Sequence, residues 1–193
     1  MGGRRSKKIE LKKGLYIIGE GITEQYYFTH LKQIKSYRCF VKPRFFGKTN
    51  IVQIAKQVQK LLMGDIAVIC IFDADVSQRN KVEELKFQQF KKKYAKNKNV
   101  IICDSLPSIE FWFLLHFVQT NKSFTNSRSV EIELLKHINH YDKSKTFLEN
   151  GKWVEKLVNN LDDAVSYAQN MDVVEGGSYS NIYKAILKLE ETL

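Results

Sequence analysis

The strongest constraint on the fold is a six-residue apolar run at positions 67–72 (AVICIF), which leads directly into Asp73 and Asp75. A short, β-rich run with no polar alternation reads as a strand buried on both faces, the pattern of a parallel sheet covered by helices. Side chains alternate along an extended chain, so Asp73 and Asp75 are expected to project together from the strand's carboxyl end. Open α/β sheets bind their ligands at that end. Two carboxylates there repel each other unless a cation stands between them, and such oxygen donors suit Mg²⁺ or Mn²⁺. The alternative is an Asp-capped turn, since Asp is common where strands end.

Other runs share this character. GLYIIG at 14–19 reads as a first strand, closed by Glu20 and Gly21, and NVIIC at 99–103 as a further buried one. Residues 40–46 suggest another strand, interrupted by Pro43 and so placed at a sheet edge. Thr23 is the expected cap of a helix over 24–35, with Tyr27, Phe28 and Leu31 at helical spacing. Thr49 or Asn50 caps an amphipathic helix whose stripe includes Ile51, Ile54, Val58 and Leu61. A charged surface helix is expected over 81–95, and Pro107 opens an apolar helix over 108–118. Strands and helices alternating at these lengths imply right-handed β-α-β units and a mainly parallel, four-stranded sheet. After Gln119 a polar loop leads to helices expected at 129–139, 152–169 and 179–193. The chain thus divides into a basic arm (1–10), an α/β core (11–120) and a helical extension packed on it (121–193).

Hydrophobic residues make up 44% of the 193, enough for a sizeable core. No apolar run is long enough to span a bilayer and no cleavable signal is evident, so a cytoplasmic protein without membrane association is expected. Cys39, Cys70 and Cys103 lie in or beside apolar runs without zinc-site spacing and read as buried free thiols. The net charge of +10 favours polyanionic partners through counterion release. Solvated lysine-rich helix faces would give the same number without such a partner.

Acidic residues recur where parallel strands should end: Glu20 after the first, Asp73 and Asp75 after the central one, and Glu110 shortly after NVIIC. Carboxylates converging at one sheet edge can share a cleft and hold one or two divalent ions, which clamp attacking and leaving oxygens in phosphodiester chemistry. Glu24, one helical turn beyond Glu20, either joins them or serves as a first-turn acid at the helix dipole.

The segments GEGITEQYYF, IFDAD and SLPSIEFWFLLHF together resemble RloB-like proteins of the Toprim superfamily, related to OLD-type nucleases. The resemblance covers residues 14 to 117 and implies a Toprim (Rossmann-like) α/β fold. Its Glu and DxD elements fall on Glu20 and on Asp73 and Asp75. An ExxxE element falls on Glu20 and Glu24, and an SxE element on Ser108 and Glu110. Ile109 stands where an aromatic residue is usual. The resemblance also draws in His116, whose bland reading is a core histidine, and a Tyr-x-Lys element at Tyr141 and Lys143. A lysine there could neutralise a phosphodiester transition state; its bland reading is a solvated loop residue. Arg44, Lys48 and Arg79 are candidate contacts to nucleic acid.

What the resemblance implies is a metal-dependent nuclease. Glu20, Asp73 and Asp75 would hold Mg²⁺ or Mn²⁺, Glu24 and Glu110 would complete a second site, and Lys143 and His116 would assist. It further implies an anti-phage defence effector acting on DNA or RNA, tRNA among them, beside an ABC/AAA-type ATPase and able to form homo-oligomers. No Walker motif occurs in this chain, so ATP hydrolysis would be the partner's. Two rival readings are a non-catalytic nucleic-acid-binding or regulatory subunit of the same fold, and a primase-type nucleotidyltransferase.

Overall fold

The computed structural model describes residues 14–42, 51–75, 81–171 and 175–193. The basic arm, Pro43, Arg44, Lys48, the two candidate caps Thr49 and Asn50, and Arg79 lie outside them. Strands β1 (Leu15–Gly19), β2 (Phe40–Val41), β3 (Ala67–Asp73) and β4 (Val100–Leu106) are parallel and stand in the order β2-β1-β3-β4. A fifth strand, β5 (Tyr179–Ser180), pairs antiparallel with β4 at the far edge. The registers Leu15↔Ala67 and Val68↔Val100 set the three long strands level, so their carboxyl ends meet at one edge.

Helices α1 (Ile22–Lys35), α2 (Ile51–Met63) and α3 (Lys81–Tyr94) follow β1, β2 and β3 in turn. Strand alternation divides the core between two faces. On one, Ile18, Val68, Cys70 and Phe72 pack against α2 and α3. On the other, Ile17, Ile69 and Ile71 meet Tyr27, Phe28 and Leu31 of α1, together with α4 (Ile109–Leu115) and the helices that follow. Those are α5 (Ser127–Leu134), α6 (Lys145–Glu149), α7 (Lys152–Val158), α8 (Leu161–Asn170) and α9 (Tyr183–Glu190). Trp112 Nε1 donates to Tyr27 Oη at 2.8 Å, tying α4 to α1 through the middle of this layer. All three cysteines are free and buried. Among the described residues no helix is long and apolar enough to cross a membrane.

Four expectations need correction. The sheet has a fifth strand, because Tyr179 and Ser180 are extended rather than the start of the last helix. Two residues are too few to show a period, and what holds them is polar. Buried Asp104 on β4 accepts from Tyr179 Oη (2.9 Å), Asn181 Nδ2 (2.8 Å) and Lys91 Nζ (3.0 Å). The single helix expected over 152–169 is two, broken at Asn159 and Asn160, a residue type whose side chain competes for backbone hydrogen bonds. The helix expected over 108–118 stops at Leu115. Finally, Gly21 rather than Thr23 caps α1, which begins at Ile22 and buries Thr23.

Candidate active site

The β1–α1 junction is built around one carboxylate. Glu24, in the first turn of α1, folds back over the glycines that precede the helix. A β-carbon at Gly19 would stand 2.7 Å from Glu24 Cβ, and one at Gly21 would stand 2.5 Å from Glu24 Oε2. Both positions therefore need glycine for Glu24 to lie where it does. Its side chain is almost wholly buried, and Oε2 has no hydrogen-bond partner. Asp73, the last residue of β3, accepts the Ile109 backbone amide on Oδ1 at 2.8 Å. That contact ties the end of β3 to the start of α4, where Glu110 is fully buried. Glu110 is also well bonded. Its Oε2 accepts from Ser108 Oγ (2.5 Å), and its Oε1 accepts from Tyr141 Oη (3.0 Å) and pairs with Lys143 Nζ (3.0 Å).

Glu24, Asp73, Glu110 and Lys143 line one cleft of about 200 Å³ at the carboxyl end of the sheet, with Gly21 and Thr23 in its wall. Burial is the main force on its acids, and their mutual repulsion adds to it. It raises the Glu24 carboxyl to about 7, with Glu110 pushing the same way against backbone amides and Lys143. Asp73 is raised well above the ordinary range, first by burial and then by Glu24 and Glu110, while the Ile109 amide and Lys143 oppose the shift. The Tyr141 hydroxyl is raised too, by burial and by Glu110. Among the described residues that line the cleft, Lys143 alone supplies positive charge.

The remaining expected site residues lie elsewhere. Glu20 and Asp75 do not line the cleft. The Glu20 carboxyl rises to about 8 through burial and then through Glu24, with Glu83 and Asp75 adding smaller repulsions. Its carboxylate accepts the Asp73 backbone amide. The alternation argument for Asp73 and Asp75 fails because the strand stops at Asp73, and Ala74 and Asp75 are already helical. The Asp75 amide instead donates to the Pro107 carbonyl (3.3 Å). His116 lines a separate cavity with Phe117, Gln119 and Asp163. Its Nδ1 is bonded to the Trp112 carbonyl (2.9 Å), and burial lowers its pKa to about 4, so it stands neutral in the core.

Sequence reasoning missed Glu131. Its Oε1 lies 2.9 Å from Lys143 Nζ, opposite Glu110. On the sequence it reads as a solvent-facing acid three residues from Arg128, and nothing local marks it. It could have been found only by placing α5 against α4.

The donors that meet here are hard oxygens, one of them a buried carboxylate oxygen without a partner. In donor type they suit a hard divalent cation. Among the described residues, no group of three or more acidic, His or Cys side chains already stands close enough to hold one. A family model described as "RloB-like protein" matches residues 15–189. No curated protein and no solved structure matches the chain.

Proposed function

The chain belongs to the RloB-like family, and on that premise we propose that it is a metal-dependent nuclease of Toprim type, hydrolysing phosphodiester bonds in DNA or RNA. The observation that carries the reading is the convergence of Glu24, Asp73, Glu110 and Lys143 in one cleft at the strands' carboxyl ends, with Glu24 Oε2 unpartnered.

Each residue has a task that its position allows. Glu24 and Asp73 would hold Mg²⁺ or Mn²⁺ with Glu110 beside them, and Glu20 and Asp75 would add negative charge nearby. The ion would supply charge neutralisation at the scissile phosphate and an activated water. Lys143 would meet the extra negative charge on the phosphoryl oxygens as the transition state forms. Glu110 orients that ammonium, and Ser108 and Tyr141 hold Glu110 in turn. His116, neutral and buried, takes no part. The surplus of basic residues would retain the polyanion. By family likeness the reading extends to a cytoplasmic anti-phage effector, controlled by an ABC/AAA-type ATPase partner.

The test is the purified chain with Mn²⁺ or Mg²⁺, offered DNA, tRNA and other RNA, beside Asp73→Asn. Cleavage should need the metal and fall by about a thousandfold in the variant. Undiminished cleavage by Asp73→Asn would remove the assignment. A second reading, a non-catalytic nucleic-acid-binding subunit, draws on the well-bonded state of Glu110 and the open spacing of the acids. It predicts calorimetry with no Mn²⁺ uptake at all, whereas the nuclease reading predicts uptake that Glu24→Gln abolishes.

A further inference from the structure

We propose that Glu131 is a positioning residue that fixes the Lys143 ammonium at the carboxylate cleft, as the outer half of a clamp whose inner half is Glu110. The consequence for catalysis rests on the nuclease reading; the clamp itself does not.

Lys143 sits in the loop between α5 and α6, and its side chain is 39% exposed. A lysine on a flexible four-carbon stem with that much access to water can turn its ammonium outward unless more than one contact holds it. Here two carboxylates from different helices hold it, Glu110 Oε1 at 3.0 Å and Glu131 Oε1 at 2.9 Å. Glu110 anchors the ammonium from the buried side, on the oxygen that also accepts the Tyr141 hydroxyl. Glu131 holds it from the outer side and limits its turning to water. Burial works against the charge on Lys143, yet Glu110 and Glu131 together hold its pKa above the ordinary lysine range.

Glu131 is free to serve this purpose because α5 does not need it for packing: Val130 and Leu134 seat that helix in the core. Its second oxygen faces Arg128 at 3.3 Å on the exposed side of the same helix. The bland alternative is that Glu131 is only the partner of Arg128, and the two roles respond differently to substitution.

The experiment is competitive acylation of the full chain's lysines, read by mass spectrometry, for wild type, Glu131→Ala, Glu131→Gln and Arg128→Ala. Lys143 should label about five- to tenfold faster in Glu131→Ala, with Glu131→Gln between. Arg128→Ala should match wild type. Unchanged Lys143 labelling in folded Glu131→Ala and Glu131→Gln, checked by melting temperature, would overturn the proposal. Where cleavage is measurable, Glu131→Ala should lower kcat about tenfold with KM unchanged. It should cost nothing further in a chain that already carries Lys143→Ala. Multiplying losses would overturn the proposal too. A wild-type chain that cuts nothing counts against the nuclease reading alone, since the labelling needs no substrate.

Discussion

Glu24 and His116 are both buried titratable groups with an unpartnered atom, and they pull stability in opposite directions with pH. Glu20 and Glu24 are raised to about 8 and about 7 in the folded chain, from 4.5 unfolded. Between those values the folded state binds more protons, so metal-free stability falls as pH rises from 4.5 towards 8. His116 is lowered to about 4, so below 6.5 the unfolded chain takes the proton first and this group alone opposes the trend. Between pH 4.5 and 6.5 the two carboxyls outweigh the one imidazole, so urea unfolding of the metal-free chain should show stability falling as pH rises towards 8. Glu24→Gln should make that fall shallower. His116→Phe should make it steeper below pH 6.5, recovering about 3 kcal/mol near pH 4. At this scale the sequence was readable in part, since Asp73 and Glu110, singled out by type and strand-end position, do meet in one cleft with Lys143. It misled where position depends on the backbone: the strand ends at Asp73, so Asp75 leaves the alternation, and His116 lies just past the helix that carries Glu110, outside its cleft.

Among elements, the β1–α1 junction is the most constrained. Gly21 is extended (φ −118°, ψ 174°), a conformation open to any residue, so its need for glycine is purely spatial. Gly21→Ala would drive a methyl group into Glu24 Oε2. That variant should stay folded and lose Mn²⁺ uptake in calorimetry. Gly19→Ala brings carbon against carbon with no flexible side-chain end to yield, and should cost about 1–3 kcal/mol in chemical denaturation. The strands of the parallel sheet were legible because burial on both faces writes an unbroken apolar run. β5 was not, because its two residues are held by Asp104 and by the Ser105–Ser180 hydroxyl pair (2.8 Å), contacts made across 75 positions of chain. Asp104→Ala removes the acceptor of Lys91, Tyr179 and Asn181, and should cost about 1–3 kcal/mol by the same measurement.

Across the whole molecule, one apolar cluster runs from Leu15 to Leu189, so the later helices share their core with α1 and α4. Tyr141, Phe147 and Trp153 close rings around Phe113 and Tyr27. A chain cut after residue 120 would bare this surface. It should fail to give a cooperative melt, even though it keeps β1 to β4. The sequence pattern marked a boundary near Gln119 because periodicity changes there. Burial runs across that change, as expected of an extension packed on the core, and the residues that make the contact are visible only in the packed helices.

The antiparallel strand at the far edge of the sheet also has a history in time. β4 ends at Leu106, and its partner Tyr179 comes some seventy residues later. At about 5–20 residues per second, a ribosome needs roughly 4–15 s to make the interval. For that time the nascent β4 offers bare backbone amides and carbonyls to any neighbouring chain, with Asp104 short of two of its donors. A charged, incompletely bonded carboxylate facing that open ladder discourages a foreign strand from docking, as inward-pointing charges do on other sheet edges. The residue that finally fastens β5 thus guards its place until it arrives.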